Sequence, residues 1–311
     1  MMGHLLYLLG NVSSKQLSKF QWEAQKMGKA SFAYAWILDQ TSEERSRGVT
    51  MDIAQTAFET RTKRIALLDA PGHRDFVPRV IGGASQADAA LLVVNASNGE
   101  FETGFDVGLG QTREHACLVR LLGVNGIIVA VNKMDTVSWS QTRYDEIRQR
   151  LANFLKSLNL TEVVYCPVSG LTGDNLVPKS KAERGSKMME LAPWYNGPSL
   201  LEIIGNNNSS TNYFACLLLA LFSFADKLPV PERQVDAPLR FVVSDLFKPV
   251  GLGQPVVAGR VISGALSAGV NLPTSRVICQ PSGNHAIIKS IRSMCTSNAS
   301  GPNNGNNIEG V

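Results

Sequence analysis

Four apolar runs, at residues 65–68, 89–94, 127–131 and 163–166, alternate with amphipathic stretches at 76–86, 112–122 and 144–158, and this alternation constrains the fold most. Runs so short and so uniformly apolar suit strands buried on both faces, and each intervening stretch is long enough for a helix. Crossovers of that length join parallel strands. The pattern therefore predicts an α/β, doubly wound parallel sheet whose functional loops lie at the carboxyl ends of its strands. The turn-rich residues 206–212 (NNNSSTN), followed by Pro229, Pro231 and Pro238, interrupt the pattern. They divide a first domain, 1–205, from a linker with an atypical insertion, 206–237. β-Branched runs at 240–244, 256–262 and 276–280, punctuated by glycines, then predict part of a small β-barrel over 238–295. Residues 296–311, rich in Asn, Gly and Ser, read as a disordered tail.

Composition narrows the class only a little. A net charge of +4 permits contact with RNA without demanding it. The five cysteines are scattered, with no C-x-x-C, which argues against a disulfide framework or a zinc site and for reduced thiols in the cytoplasm. The first ten residues have neither a basic leader nor a small-residue cleavage site, so no signal peptide is expected. The run at 213–224 (YFACLLLALFSF) falls short of the roughly 20 residues that span a bilayer, so no membrane anchor is expected.

Two tetrads follow apolar runs and so share one rim of the predicted sheet. In Asn132-Lys133-Met134-Asp135 an amide and a carboxylate flank a lysine. The amide suits O6 and N7 of guanine, and the carboxylate can accept from N1–H and the exocyclic amine, which adenine cannot supply; Asp135 is then the specificity residue. A plain turn after a strand would use the same residue types. In Asp69-Ala70-Pro71-Gly72-His73 the aspartate can hold a magnesium shell and Gly72 can bring its N–H to a terminal phosphate. His73 can orient an attacking water, since phosphoryl transfer depends on positioning and charge neutralisation. Glu44-Arg45-Ser46-Arg47-Gly48-Val49-Thr50 reads as a solvated loop, or as a switch in which Thr50 offers a hydroxyl to magnesium. Ser169-Gly170-Leu171 can present a backbone N–H to guanine O6.

With Gly110-Gln111-Thr112-Arg113-Glu114-His115 and Trp194-Tyr195, these elements resemble the translational GTPases of the elongation factor and class-II release factor superfamily. Residues 29–39 (KASFAYAWILD) and 47–52 (RGVTMD) most resemble its ribosome-rescue branch, the partner of Pelota. The resemblance implies a GTPase using GTP and Mg2+, with the ribosome and a Pelota-like, release-factor-shaped protein as partners and no membrane or direct DNA contact. It implies that Thr50 and Asp69 serve the metal. Asp69, Gly72, Asn132, Lys133, Asp135, Ser169 and Gly170 would bind nucleotide, and His73 would be catalytic.

The sequence departs from that family in carrying no G-x-x-x-x-G-K-[ST] loop. It starts where the helix after such a loop would start, so a truncated product is expected, without the first strand of the sheet, with impaired GTP binding and hydrolysis and with a destabilised core. The alternatives are a class-II release factor or elongation factor GTPase, and a non-hydrolysing interaction protein that keeps a partner surface.

Overall fold

The structure is a computed structural model that describes residues 1–39, 41–48, 50–51, 53–60, 64–72, 80–81, 87–106, 108, 110–124, 126–161, 163–178, 190–205, 213–218, 234–248, 255–266 and 275–291. It divides into two compact units, Met1–Leu228 and Pro229–Val311. In the first, helices α1 (Met2–Leu8), α2 (Ser14–Lys26) and α3 (Ser42–Arg47) precede strands β1 (Ala54–Glu59), β2 (Arg64–Asp69) and β3 (Ala89–Asn95). Then come α4 (Glu100–Phe105), α5 (Gln111–Leu121), β4 (Gly126–Asn132), α6 (Gln141–Ser157), β5 (Val163–Pro167), α7 (Leu200–Gly205) and β6 (Tyr213–Leu218). Among the described residues no helix is long and apolar enough to cross a membrane.

The strands form one sheet in the order β1-β2-β6-β3-β4-β5. All neighbours are parallel except the edge strand β1, which runs antiparallel to β2. The predicted α/β class and its parallel sheet are therefore present. One expectation is corrected. Residues 213–218 lie within the segment read as linker, yet they form β6, in register with β2 from Arg64↔Tyr213 to Asp69↔Leu218 and touching β3 at Ala89↔Cys216. The centre of the sheet, expected to lack a strand, holds this one. An apolar run too short for a bilayer is still long enough for a strand flanked on both sides.

Burial explains the sheet's composition. Residues 127–131 of β4 are fully buried, as a parallel strand covered on both faces requires. On α6, Tyr144, Ile147, Leu151 and Leu155 recur at helical spacing and bury one stripe against the sheet. Removing one such leucine side chain costs about 2–5 kcal/mol. Capping boxes start α2 (Ser13 with Gln16) and α3 (Thr41 with Glu44), and α3 stops at Gly48, whose φ of 73° places it in the left-handed region.

The second unit contains β7 (Arg240–Phe247) paired antiparallel with β8 (Val256–Ser263), and β9 (Arg276–Cys279) paired with β10 (Asn284–Ile287). The described residues thus give two two-stranded sheets where part of a barrel was predicted. Gly259 is required by packing, because a Cβ there would overlap the Val242 carbonyl oxygen.

Arg143 on α6 ties the loop after β3 to the helix layer. Its Nε donates to Ala96 O at 2.9 Å, and its two Nη atoms reach the Glu102 carboxylate at 2.8 and 3.2 Å. The side chain is only 10% exposed, so these donors lose water when they bind. The guanidinium holds the Glu102 carboxyl down at about 2, so this contribution is present above pH 4.5 and is lost as pH falls toward 2. Arg143→Ala is expected to lower the unfolding free energy by about 1–2 kcal/mol in urea melts, and Arg143→Lys to recover only part, since lysine lacks the planar fork. A loss under about 0.5 kcal/mol, the size of an ordinary surface change, would rule out this role.

Candidate functional site

β4 and β5 end side by side, and their following loops are knit by backbone bonds: Val168 N donates to Val131 O at 2.9 Å, and Met134 N to Val168 O at 3.2 Å. Asn132 closes β4. Its Oδ1 accepts from Gly170 N–H at 2.8 Å, which leaves the Asn132 amide nitrogen as the group available to a ligand. Lys133 follows in the left-handed region at φ 62°, an uncommon conformation for a side chain with a Cβ, and its Nζ rests 3.1 Å from Glu100 Oε2 on the surface. Met134 is fully buried and anchors the short helical turn Met134–Val137. Within that turn Asp135 Oδ1 is buried with no hydrogen-bond partner among the described residues. A buried acceptor left alone is costly, and a donor-bearing ligand would satisfy it. Ser169 is fully buried and its Oγ accepts from Thr172 N at 3.2 Å, so it shapes the loop.

A second group lies at the end of β2. Thr50 Oγ1 donates to Asp39 Oδ1 at 3.3 Å, and Asp39 is 5% exposed. Glu44, also buried, caps α3 through Thr41 and accepts from Met51 N at 3.0 Å, which fixes the backbone beside Thr50. Burial, followed by the charge of Asp39, pushes the Asp69 carboxyl up to about 7; the Met1 ammonium opposes this and Glu44 adds to it. Asp39 is raised by burial and then by Glu44. The carboxylates therefore create a field that favours a cation. Among the described residues no three acidic, His or Cys side chains converge to hold a metal alone.

A cavity of about 370 Å³ is lined by Thr50 and Gly72 together with Glu100, Gln111, Thr112 and His115. It unites two predicted switch residues but does not extend to Asn132, Lys133 or Asp135, which line the neighbouring loop. The predicted catalytic residue His73 lies outside the described residues. Asp39, His4 and His115 were not singled out from the sequence. Asp39 stood inside a quoted stretch, but its link to Thr50 spans a helix and carries no periodic signal.

A carboxyl whose folded value lies above its unfolded one binds its proton more tightly in the native state. Its contribution to stability is greatest below pH 3.8 and is lost as pH rises through about 7. In magnesium-free buffer the melting temperature of Asp69→Asn is therefore expected to exceed that of the parent at pH 8 and to converge with it near pH 4. Parallel curves would contradict this assignment.

Residues 1–225 match the family model described as the elongation factor Tu GTP binding domain. Protein HBS1 of Drosophila melanogaster is 46% identical over 293 residues, which cover 94% of this chain and 39% of that protein. Elongation factor 1-alpha of Staphylothermus marinus is 45% identical over 284 residues, covering 89% of this chain and 58% of the other. The chain thus spans between 39% and 58% of the length of these two relatives. Among solved structures, the Ski7 GTPase-like domain of S. cerevisiae, bound to GTP, superposes with a TM-score of 0.67 at 19% identity over 99% of this chain and 64% of that one; this likeness concerns the fold.

Proposed function

Since the chain belongs to the elongation factor Tu GTP-binding domain family, we propose that it is a guanine-nucleotide switch of the translational type, which binds GTP with magnesium, its binding and hydrolysis impaired because this sequence holds no G-x-x-x-x-G-K-[ST] loop. The observation that carries the reading is the buried, unpartnered Asp135 Oδ1 two residues beyond Lys133, beside a loop already clamped to Asn132. Guanine offers N1–H and an amine where adenine offers neither, so the orphaned carboxylate oxygen discriminates by what a wrong base leaves unmet. Asn132 donates its amide to the base, Lys133 lays its stem along the ring, and Ser169 and Gly170 hold the loop in place.

At the other end, Thr50 and Asp69 hold the magnesium, assisted by the neighbouring Asp39. A bound ion would neutralise phosphate charge and offset the burial and the Asp39 charge that raise the Asp69 carboxyl. Gly72 lets its backbone N–H approach the terminal phosphate and His73 orients the attacking water. A Thr50 hydroxyl held by magnesium and the terminal phosphate would be released when that phosphate is lost, which is a recognised switching mode.

The similarity to HBS1 supports the finer reading that the chain acts on the ribosome in the rescue of stalled translation, with a Pelota-like, release-factor-shaped partner in the cytoplasm. Binding to such a partner in preference to aminoacyl-tRNA separates this reading from an elongation factor.

Titration with fluorescent GTP and magnesium, competed by GDP and by ATP, tests the proposal. Displacement by GDP but not by ATP is expected. Asp135→Asn should weaken GDP binding about 100-fold or more, and should favour xanthine nucleotides, whose C2 carbonyl pairs with an amide donor. Equal competition by ATP, or an unchanged affinity in Asp135→Asn, would overturn the reading.

A further inference from the structure

His4 on α1 reaches two segments that are distant in sequence. Its Nδ1 lies 2.9 Å from Gly170 O. A carbonyl can only accept, so Nδ1 carries the proton. Gly170 also gives its own N–H to Asn132 Oδ1, so the residue is held through both its N–H and its carbonyl. The His4 ring stacks on Tyr34 with centroids 3.9 Å apart and an interplanar angle of 8°. Tyr34 stands between the short helical turns Ala30–Phe32 and Ala35–Ile37, ahead of Asp39, the partner of Thr50.

Two glycines permit this approach. A Cβ at Gly3 would overlap the Tyr34 carbonyl oxygen, so α1 could not lie against that turn. Gly173, at φ 84°, leaves 2.8 Å between a would-be Cβ and His4 Cε1, closing the base loop over the imidazole. His4 is 6% exposed, so a lost hydrogen bond or stack would not be replaced by water at no cost.

We infer that His4 is a positioning residue that joins the base-reading loop to the Tyr34–Asp39 segment, so that occupation of the base site and order around Thr50 are coupled. The coupling rests on the guanine-nucleotide reading above, whereas the link between the two segments exists without nucleotide. A discrete side chain bridging two packed segments is a physical route for such coupling.

Two substitutions divide the role of His4: His4→Phe keeps a ring on Tyr34 but removes the donor, and His4→Asn keeps a donor near the Nδ1 position but removes the ring. Tyr34→Leu acts from the opposite side and serves if α1 variants fail to fold. Amide hydrogen exchange on the nucleotide-free chain reads the link. His4→Phe, which breaks the bond at 169–173, should also speed exchange at 34–39, and Tyr34→Leu should speed it at 169–173, each about 5-fold or more. Faster exchange confined to the side that was altered would overturn the inference. Binding of GDP and of inosine diphosphate, which lacks the exocyclic amine, then reads the consequence for the base. His4→Phe and His4→Asn should each reduce the preference for GDP about 5- to 20-fold. An unaltered preference would overturn the claim that His4 positions the base loop. Cross-segment exchange effects in a parent chain that binds no GDP would leave the link standing and remove the guanine-nucleotide reading instead.

Discussion

Asn132 binds three strand ends into one rim. Its carbonyl accepts from Ala96 N at 2.8 Å, just past β3, while its side-chain oxygen accepts from Gly170 N at 2.8 Å, just past β5. It also pairs with Asn95 in the β3–β4 register. One residue at the end of the fully buried strand β4 therefore sets the height at which the loops after β3, β4 and β5 leave the sheet. The left-handed Lys133, the buried Met134 and the unpartnered Asp135 oxygen all depend on that setting. A rigid rim of this kind places ligand groups better than free loops could, because their order is fixed before anything binds.

The second cluster works by the opposite principle. Around Asp69 the structure gathers negative charge instead of neutralising it, with Asp39 and Glu44 buried nearby. Alone, such a cluster opposes folding. The two ends of the site thus differ in kind. The loop after β4 carries an unmet hydrogen-bond acceptor, Asp135 Oδ1, and the end of β2 carries a carboxyl raised by burial and by neighbouring carboxylates.

Much of the sheet was legible in the sequence because parallel strands buried on both faces leave uninterrupted apolar runs. The runs at 65–68, 89–94, 127–131 and 163–166 fall within β2 to β5. β1, with the sequence AQTAFE, has its polar residues toward solvent and gave no such run. β6 was missed for a different reason. Its polar forerunner at 206–212 pointed to a linker, and nothing local to residues 213–218 says which strands will accept them. Such pairing is settled by tertiary context. The tetrads were legible because their chemistry resides in adjacent residues. His4 and Asp39 were not, since each matters through partners far along the chain, Gly170 for one and Thr50 for the other.

The place of β6 also governs how the first unit assembles. β1 and β2 form one antiparallel pair and β3, β4 and β5 one parallel group, and among the described strands the two groups are joined by β6, which the chain supplies after both. Its pairing with β2 and β3 is therefore the longest-range closure among the described strands, and contacts of that range are the ones that slow folding.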